Sequence, residues 1–358
     1  MKHEQFLILR KRKFMELNKI VVGSEQVLAE NQPEWSPLWN SWADALLANK
    51  NNIIRARSQF RECHPLRVYM PIGEAKRSKN KCRFALRYFG KNIAEIESQF
   101  NENTPPYLIF DDLKEDYLRN NRQRLGLQKM DKEFKHPWNS KKSKTIRDYF
   151  QNMNHPVPDE HMIESMILDE MEKSTSEKFE GTLRNIQPVK LFNKLRFQMK
   201  IPFAANKGIP KYSPKGGMID ILARIGSSQN TDLAVLELKK DDKNSYKKAI
   251  AQSIIYSIGV IYLLRDQRHE AKWWELFGFK RILPETITVH AVPTIPISIR
   301  DEFEKEKKSL GLEDGSLITI GQDQIKLGHI IFEQTENKRI SVKEVGGMDN
   351  SIFEPNTR

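Results

Sequence analysis

Cysteine is almost absent from this chain: Cys63 and Cys82 are the only two among 358 residues. Two thiols are too few for a disulfide framework, and even with His64 beside Cys63 they lack zinc-ligand spacing, so both read as ordinary reduced cysteines. Long apolar runs are scarce as well. The most apolar stretch, residues 250–264, is read as too short to span a bilayer and is interrupted by Gln252, Ser253, Ser257 and Gly259. Its expected form is a helix, a Gly259 cap and a buried strand over 260–264. The opening Met1-Lys2-His3-Glu4 does not begin the basic, apolar, small-residue order of a secretory signal, and no internal repeat is detectable. These absences argue against a membrane protein, a disulfide scaffold and a solenoid, and they make a cytoplasmic location the expectation.

What is present in excess is positive charge. The formal net charge is +12, and it is unevenly spread: residues 51–150 hold 22 Lys and Arg against 12 Asp and Glu, whereas 301–358 hold 8 against 12. Such a basic stretch can grip a polyanion by neutralising its phosphates. A solvated surface without a ligand carries the same count. The length allows two or three domains and a sizeable core.

Residues 1–128 read as an α+β recognition or regulatory domain. Leu38, Trp42, Leu46 and Leu47 repeat at helical spacing within 37–48, and strands are expected over 67–70, 82–89 and 92–97, with Gly90-Lys91 turning the last two into a hairpin. Alternation places Arg83, Ala85 and Arg87 on one face of the middle strand and Phe84, Leu86 and Tyr88 on the other. With Lys91, that basic face is suited to a phosphate backbone, and equally to the wet side of a half-buried sheet. Residues 129–158 are polar and basic and read as a linker, with a short helix allowed over 146–153. A helix starting at Asp159 or Glu160 would turn Met162, Ile163, Met166 and Ile167 to a core and leave Glu164, Glu170 and Glu172 solvated. A second helical piece, 174–186, carries Glu177 and Glu180 ahead of a strand over 195–201. Further on, Trp273, Trp274 and Phe277 read as packing anchors, and strands are expected over 287–293 and around Gly321-Gln322-Asp323. Residues 346–358 read as a flexible tail.

The chemistry is concentrated in two apolar strands. Gly216-Gly217-Met218-Ile219-Asp220-Ile221-Leu222 sets one acid among apolar residues, and Asp232-Leu233-Ala234-Val235-Leu236-Glu237-Leu238-Lys239-Lys240 sets an acid and a lysine two apart. In an extended strand Val235, Glu237 and Lys239 share one face, and Leu236 and Leu238 the other. Between the two strands, Gly226, Ser227, Ser228 and Asn230 read as a hairpin turn. Pairing across it would bring Asp220, Glu237 and Lys239 together. A Glu and a Lys on the wet face of a strand also make a plain ion pair; the apolar frame and the preceding Asp strand favour a site.

Asp220 followed by Glu237-Leu238-Lys239 resembles the signature of the PD-(D/E)XK nuclease superfamily, with Ile219 where the motif's proline would stand. Gln252-Ser253-Ile254-Ile255-Tyr256 is similar to the Gln-x-x-x-Tyr motif of its RecB-like branch. The resemblance covers roughly residues 160–299, and within the expected nuclease domain at 159–345 it implies a restriction-endonuclease-like α/β fold, a mixed central sheet flanked by helices. It implies that Asp220, Glu237 and the Leu238 carbonyl bind Mg²⁺, with Mn²⁺ able to substitute, and that Lys239 orients the attacking water. Glu180, and after it Glu177, would reach the metal from the preceding helix. Gln252, Tyr256 and Lys248, one turn apart on a helix, would contact the nearby phosphate or hold the water network.

The expected activity is Mg²⁺-dependent endonuclease cleavage of DNA, in a setting such as restriction or anti-phage defence by fold-level analogy. Two other readings stay open: a nuclease fold that only binds nucleic acid or protein, and a nuclease for RNA or branched DNA. A homodimer would cut both strands where a monomer nicks one, and the N-terminal domain is the place for a protein partner.

Overall fold

The computed structural model describes residues 17–74, 80–101, 103–111, 133–152, 159–173, 183, 185–206, 208–226, 231–240, 242, 244–269, 271–280, 282–312, 316–335 and 339–348. It is a mixed α/β structure built on two larger sheets and a two-stranded ribbon.

Among the described residues, three helical segments come first: α1 over 17–30, α2 (Gln32–Ala48) and α3 (Lys50–Ser58). They are followed by the antiparallel sheet β1 (Leu66–Tyr69), β2 (Lys81–Tyr88), β3 (Lys91–Gln99), β4 (Tyr107–Asp111) and β5 (Glu133–Pro137), paired in sequence order. Phe84, Leu86 and Ile96 join Ile53, Ala56 and Phe60 in one buried cluster, so the expected apolar face of β2 packs with α3. Residues 133–151 are not a linker. Glu133–Pro137 pairs with β4, and α4 (Lys141–Gln151) is capped by Ser140, whose Oγ accepts the Ser143 amide at 3.2 Å, and buries Ile146 and Phe150. Their polar composition reflects an edge strand and a one-sided helix, each of which buries only a stripe.

The second sheet runs in the order β12-β13-β11-β10-β9-β6, with β14 and β15 continuing beside β11. Within it β9 (Ile221–Ile225) is antiparallel to β10 (Asp232–Leu238), and β10 is parallel to β11 (Thr288–Pro296); of the turn expected between β9 and β10, residues 227–230 lie outside the described residues. A parallel pair needs a long crossover, and here it is α6 (Ser245–Arg265), followed by the short α7 (Lys272–Leu276). The alternation predicted for β10 holds. Leu233 and Val235 join the cluster containing Ile254 and Ile258 of α6, while Ala234, Leu236 and Leu238 join the cluster containing Ile163 and Ile167 of α5 (Glu160–Glu172). Both faces of β10 are therefore covered. The strand expected over 195–201 starts later: β7 (Lys200–Asn206) pairs with β8 (Ile209–Met218) as the ribbon. β6 (Ile186–Pro188) is the edge next to β9, and beyond β11 come α8 (Arg300–Ser309), β12 (Leu317–Ile320), β13 (Asp323–Leu327), β14 (His329–Gln334) and β15 (Ile340–Gly346).

Residues 250–264 are one continuous helical run without a cap or strand. Gly259 serves close packing: a Cβ there would collide with Ile201 Cγ2 and lie 3.1 Å from Phe203 Cζ. At 21 residues the helix is long and apolar enough to cross a membrane, contrary to the reading from the broken apolar run, but its apolar residues are buried in the core of the protein. The N-terminal helices pack into that same core, where the sequence pointed to a separate domain. Trp35 and Trp39 share its main cluster, Trp39 Nε1 donates to the Lys200 carbonyl at 3.0 Å, and Lys272 of α7 pairs with Asp44 of α2 at 2.9 Å. Of the expected tail, Met348 is buried, and residues 349–358 lie outside the described residues.

Candidate active site

The β8 strand leads through Gly217 to Asp220, at the break between β8 and β9. A Cβ on Gly217 would lie 2.5 Å from the Phe203 carbonyl oxygen and 2.8 Å from the Tyr256 hydroxyl. Only glycine lets the ribbon, the strand end and α6 approach so closely. On the neighbouring strand Leu236 is opposite Ile221, so Glu237 comes level with Asp220. The two residues bond each other's strands: Asp220 Oδ2 accepts the Leu238 amide at 2.8 Å, and Glu237 Oε1 accepts the Asp220 amide at 3.4 Å.

Burial dominates the electrostatics of this pair. Desolvation pushes the Asp220 carboxyl up to about 6, against the opposing pull of Lys239 and the Leu238 amide. Glu237, 2 % exposed, is raised well above its ordinary value by burial first and by the Asp220 charge second. Lys239, almost as deeply buried, donates from Nζ to the Leu238 carbonyl at 2.8 Å. That carbonyl, expected to face a metal, is thus engaged by the lysine.

Two acids that sequence reasoning missed complete the cluster. Glu160, in the first turn of α5, places Oε2 3.7 Å from Lys239 Nζ. Glu164 is one turn further on; it is buried rather than solvated, its Oε1 has no hydrogen-bond partner, and its charge contributes to the rise at Asp220. The signal was available in the i, i+4 spacing of two glutamates at a helix start. The expected Glu180 and Glu177 lie outside the described residues. Arg196 and Lys190 hold Glu172, so it too is not simply solvated.

From α6, Gln252 Nε2 donates to the Ala205 carbonyl at 3.3 Å, and its buried Oε1 has no partner. Burial, with a smaller contribution from Glu237, raises the Tyr256 hydroxyl above its ordinary range. Tyr256 is thus near Glu237 and Asp220, while Gln252 is placed by its bond to the ribbon carbonyl of Ala205. Lys248 is exposed on the first turns of the same helix.

No family model, curated protein or solved structure matches this chain.

The arrangement itself is what can be tested against a divalent ion. Among the described residues, no three His, Cys, Asp or Glu side chains form a group that could hold a metal. The donor chemistry still suits a hard cation: every acid at the site offers oxygen, and the unpartnered Glu164 Oε1 and Gln252 Oε1 are buried acceptors. The four acids Asp220, Glu237, Glu160 and Glu164 carry more negative charge than Lys239 offsets.

The basic residues assigned to a phosphate backbone are instead engaged within the protein. Arg83 bonds Glu95 at 3.0 Å and Glu97 at 3.1 Å. Arg87 donates to Asn92 and Gln198 and lies over the Tyr69 ring at 4.3 Å. Lys91 pairs with Asp159 at 2.6 Å. Nor is the face that Arg83 and Arg87 share an outer surface, since Ala85 and Tyr69 are buried in the cluster that contains Ile163 and Ile167 of α5. Strand alternation identifies which residues share a face, and it cannot tell that a helix encoded some 75 positions later covers that face.

Proposed function

We propose that this protein is a Mg²⁺-dependent endonuclease acting on DNA, built on a restriction-endonuclease-like core and working in the cytoplasm, with cleavage of foreign DNA as its setting. The observation that carries the reading is the meeting of Asp220, Glu237 and Lys239 at one edge of β9 and β10, beside Glu160 and Glu164. An antiparallel β9–β10 pair joined through a helix to the parallel β11 supports the core assignment. The two free cysteines, one with its thiol pushed up to about 12 by burial, suit a reducing compartment.

Asp220 and Glu237, the pair that the strands bring together, would hold the ion, with Glu160 and Glu164 adding negative charge beside it. When bound, it would supply a Lewis acid for the phosphoryl oxygens and a more acidic water. The protein's own contribution is arrangement. Lys239 carries a buried positive charge next to the acids, suited to orienting a water and to stabilising charge that develops on phosphate oxygens in a low-dielectric site. Gln252 fixes its amide through Ala205 and keeps an oxygen free to accept from water or substrate. Tyr256 stays protonated and can donate. Lys248 remains available for a phosphate outside the site.

The test is a panel of duplex, single-stranded and branched DNA and of RNA, incubated with Mg²⁺ or Mn²⁺. Metal-dependent cleavage of DNA is the expected result. Cleavage confined to RNA or junctions changes the substrate, and binding without cleavage of any substrate points to an inactive nuclease fold.

A further inference from the structure

Lys91 and its hairpin stand apart from the cleavage chemistry, yet they contact the helix that carries two of the acids. Lys91 Nζ is 2.6 Å from Asp159 Oδ2, and the other oxygen of Asp159 caps α5 by accepting the Met162 amide at 3.0 Å. One carboxylate therefore joins the β2–β3 turn to the first turn of the helix. The backbone makes the same junction: Gly90 has φ +80°, and a Cβ on it would lie 2.5 Å from the His161 carbonyl oxygen. Both the left-handed conformation and the close approach call for glycine.

Further along α5 the grip continues. Arg67 of β1 pairs with Asp169, and Arg196 bridges Glu62 to Glu172. Tyr69 and Ala85 pack in the same cluster as Ile163 and Ile167. The N-terminal sheet thus holds α5 at its cap, along its apolar stripe and at its last turns. Glu160 immediately follows the capping residue, and Glu164 is one turn on.

We infer that the β2–β3 hairpin is a positioning element for the active site, with Lys91 setting, through Asp159, where Glu160 and Glu164 stand relative to Lys239 and Asp220. This rests on the nuclease reading above. It assigns Lys91 a role distinct from phosphate contact, and it gives a partner bound to the N-terminal sheet a direct mechanical route to the acids.

The experiment compares wild type, Lys91→Ala and Lys91→Arg in the full chain, following steady-state DNA cleavage against Mg²⁺ concentration and hydrogen exchange at the 161–164 amides. Loss of the link frays the first turn and displaces the acids, and displacements of about 1 Å can cost ~100-fold. The expected result for Lys91→Ala is a kcat lower by about 10- to 100-fold, a several-fold higher Mg²⁺ requirement, faster exchange at those amides and an unchanged KM for DNA. Lys91→Arg should restore most of each. A raised KM with unchanged kcat and exchange would make Lys91 a phosphate contact and overturn the inference. Unchanged exchange and kinetics in Lys91→Ala would overturn it as well. Absence of cleavage by the wild type bears on the nuclease reading alone; the exchange measurement then still decides whether Lys91 holds the helix.

Discussion

Asp220 and Glu237 accept each other's strand amides: Asp220 Oδ2 takes the N–H of Leu238 at 2.8 Å, and Glu237 Oε1 takes the N–H of Asp220 at 3.4 Å. Two acids that repel are thus held together by the backbone of the strands that carry them. Such an arrangement opposes stability, and proteins keep it where chemistry requires it.

Asp220→Asn should therefore make the metal-free protein more stable. An amide keeps an oxygen for the Leu238 N–H and removes the charge that burial, and after it Glu164 and Glu160, disfavour. At pH 7.5, above the raised Asp220 value of about 6, the gain should be about 1 kcal/mol, or ~2–4 °C in Tm by thermal unfolding without metal. A fall of several degrees would show the charge to be structural.

Mg²⁺ should stabilise the wild type by binding the folded state only, with a rise in Tm that grows with concentration. The same titration on Glu237→Gln should give a much smaller shift. Chelation should reverse the rise, and equal shifts in both proteins would place the ion elsewhere.

Gly259→Ala sets two magnitudes against each other. Alanine favours a helix interior over glycine by ~1 kcal/mol, but its Cβ would press on Ile201 Cγ2, close to that residue's own backbone. Overpacking of this kind costs about 1–3 kcal/mol, so net destabilisation is expected in a denaturant titration. A stabilised variant would mean that β7 yields.

The N-terminal sheet supplies a pH-dependent term. Glu97 is buried among Lys81 at 2.7 Å, Lys135 at 2.8 Å and Arg83 at 3.1 Å. Burial works against its charge, yet the Lys135 and Lys81 bonds hold its carboxyl down to about 2, from an ordinary 4.5. Because the folded value is the lower one, this stabilisation is full above about 4.5 and is lost as pH falls through about 2. Glu97→Gln should be less stable than wild type at pH 7, by roughly 1–3 kcal/mol, and the gap between their unfolding curves should close below pH ~4. A constant gap would remove ionisation from the account.

The strand pair at the centre of the site was readable because its information is local. Alternation fixes the faces of β10, and the short spacing between two apolar runs points to the antiparallel pairing that β9 and β10 make. The same local reasoning found the Asp159 start of α5, but it gave Glu164 to solvent, since nothing within the helix reveals that the N-terminal sheet covers it. Gly259 misled for a related reason: a glycine required by a neighbouring strand has the same letter as one that ends a helix. The partners of Arg83, Arg87 and Lys91 are long-range as well, and charge counts do not register them.

Whether Asp220 and Lys239 cleave rather than merely fold is decided by metal-dependent cleavage of duplex DNA by wild type, Asp220→Ala and Lys239→Ala at matched Tm and DNA affinity. The expected result is cleavage by the wild type, its abolition by chelator, and loss of ~10³-fold or more in each variant with binding retained. Cleavage persisting in both variants, or its absence in a folded wild type supplied with Mg²⁺ and with Mn²⁺, would contradict it.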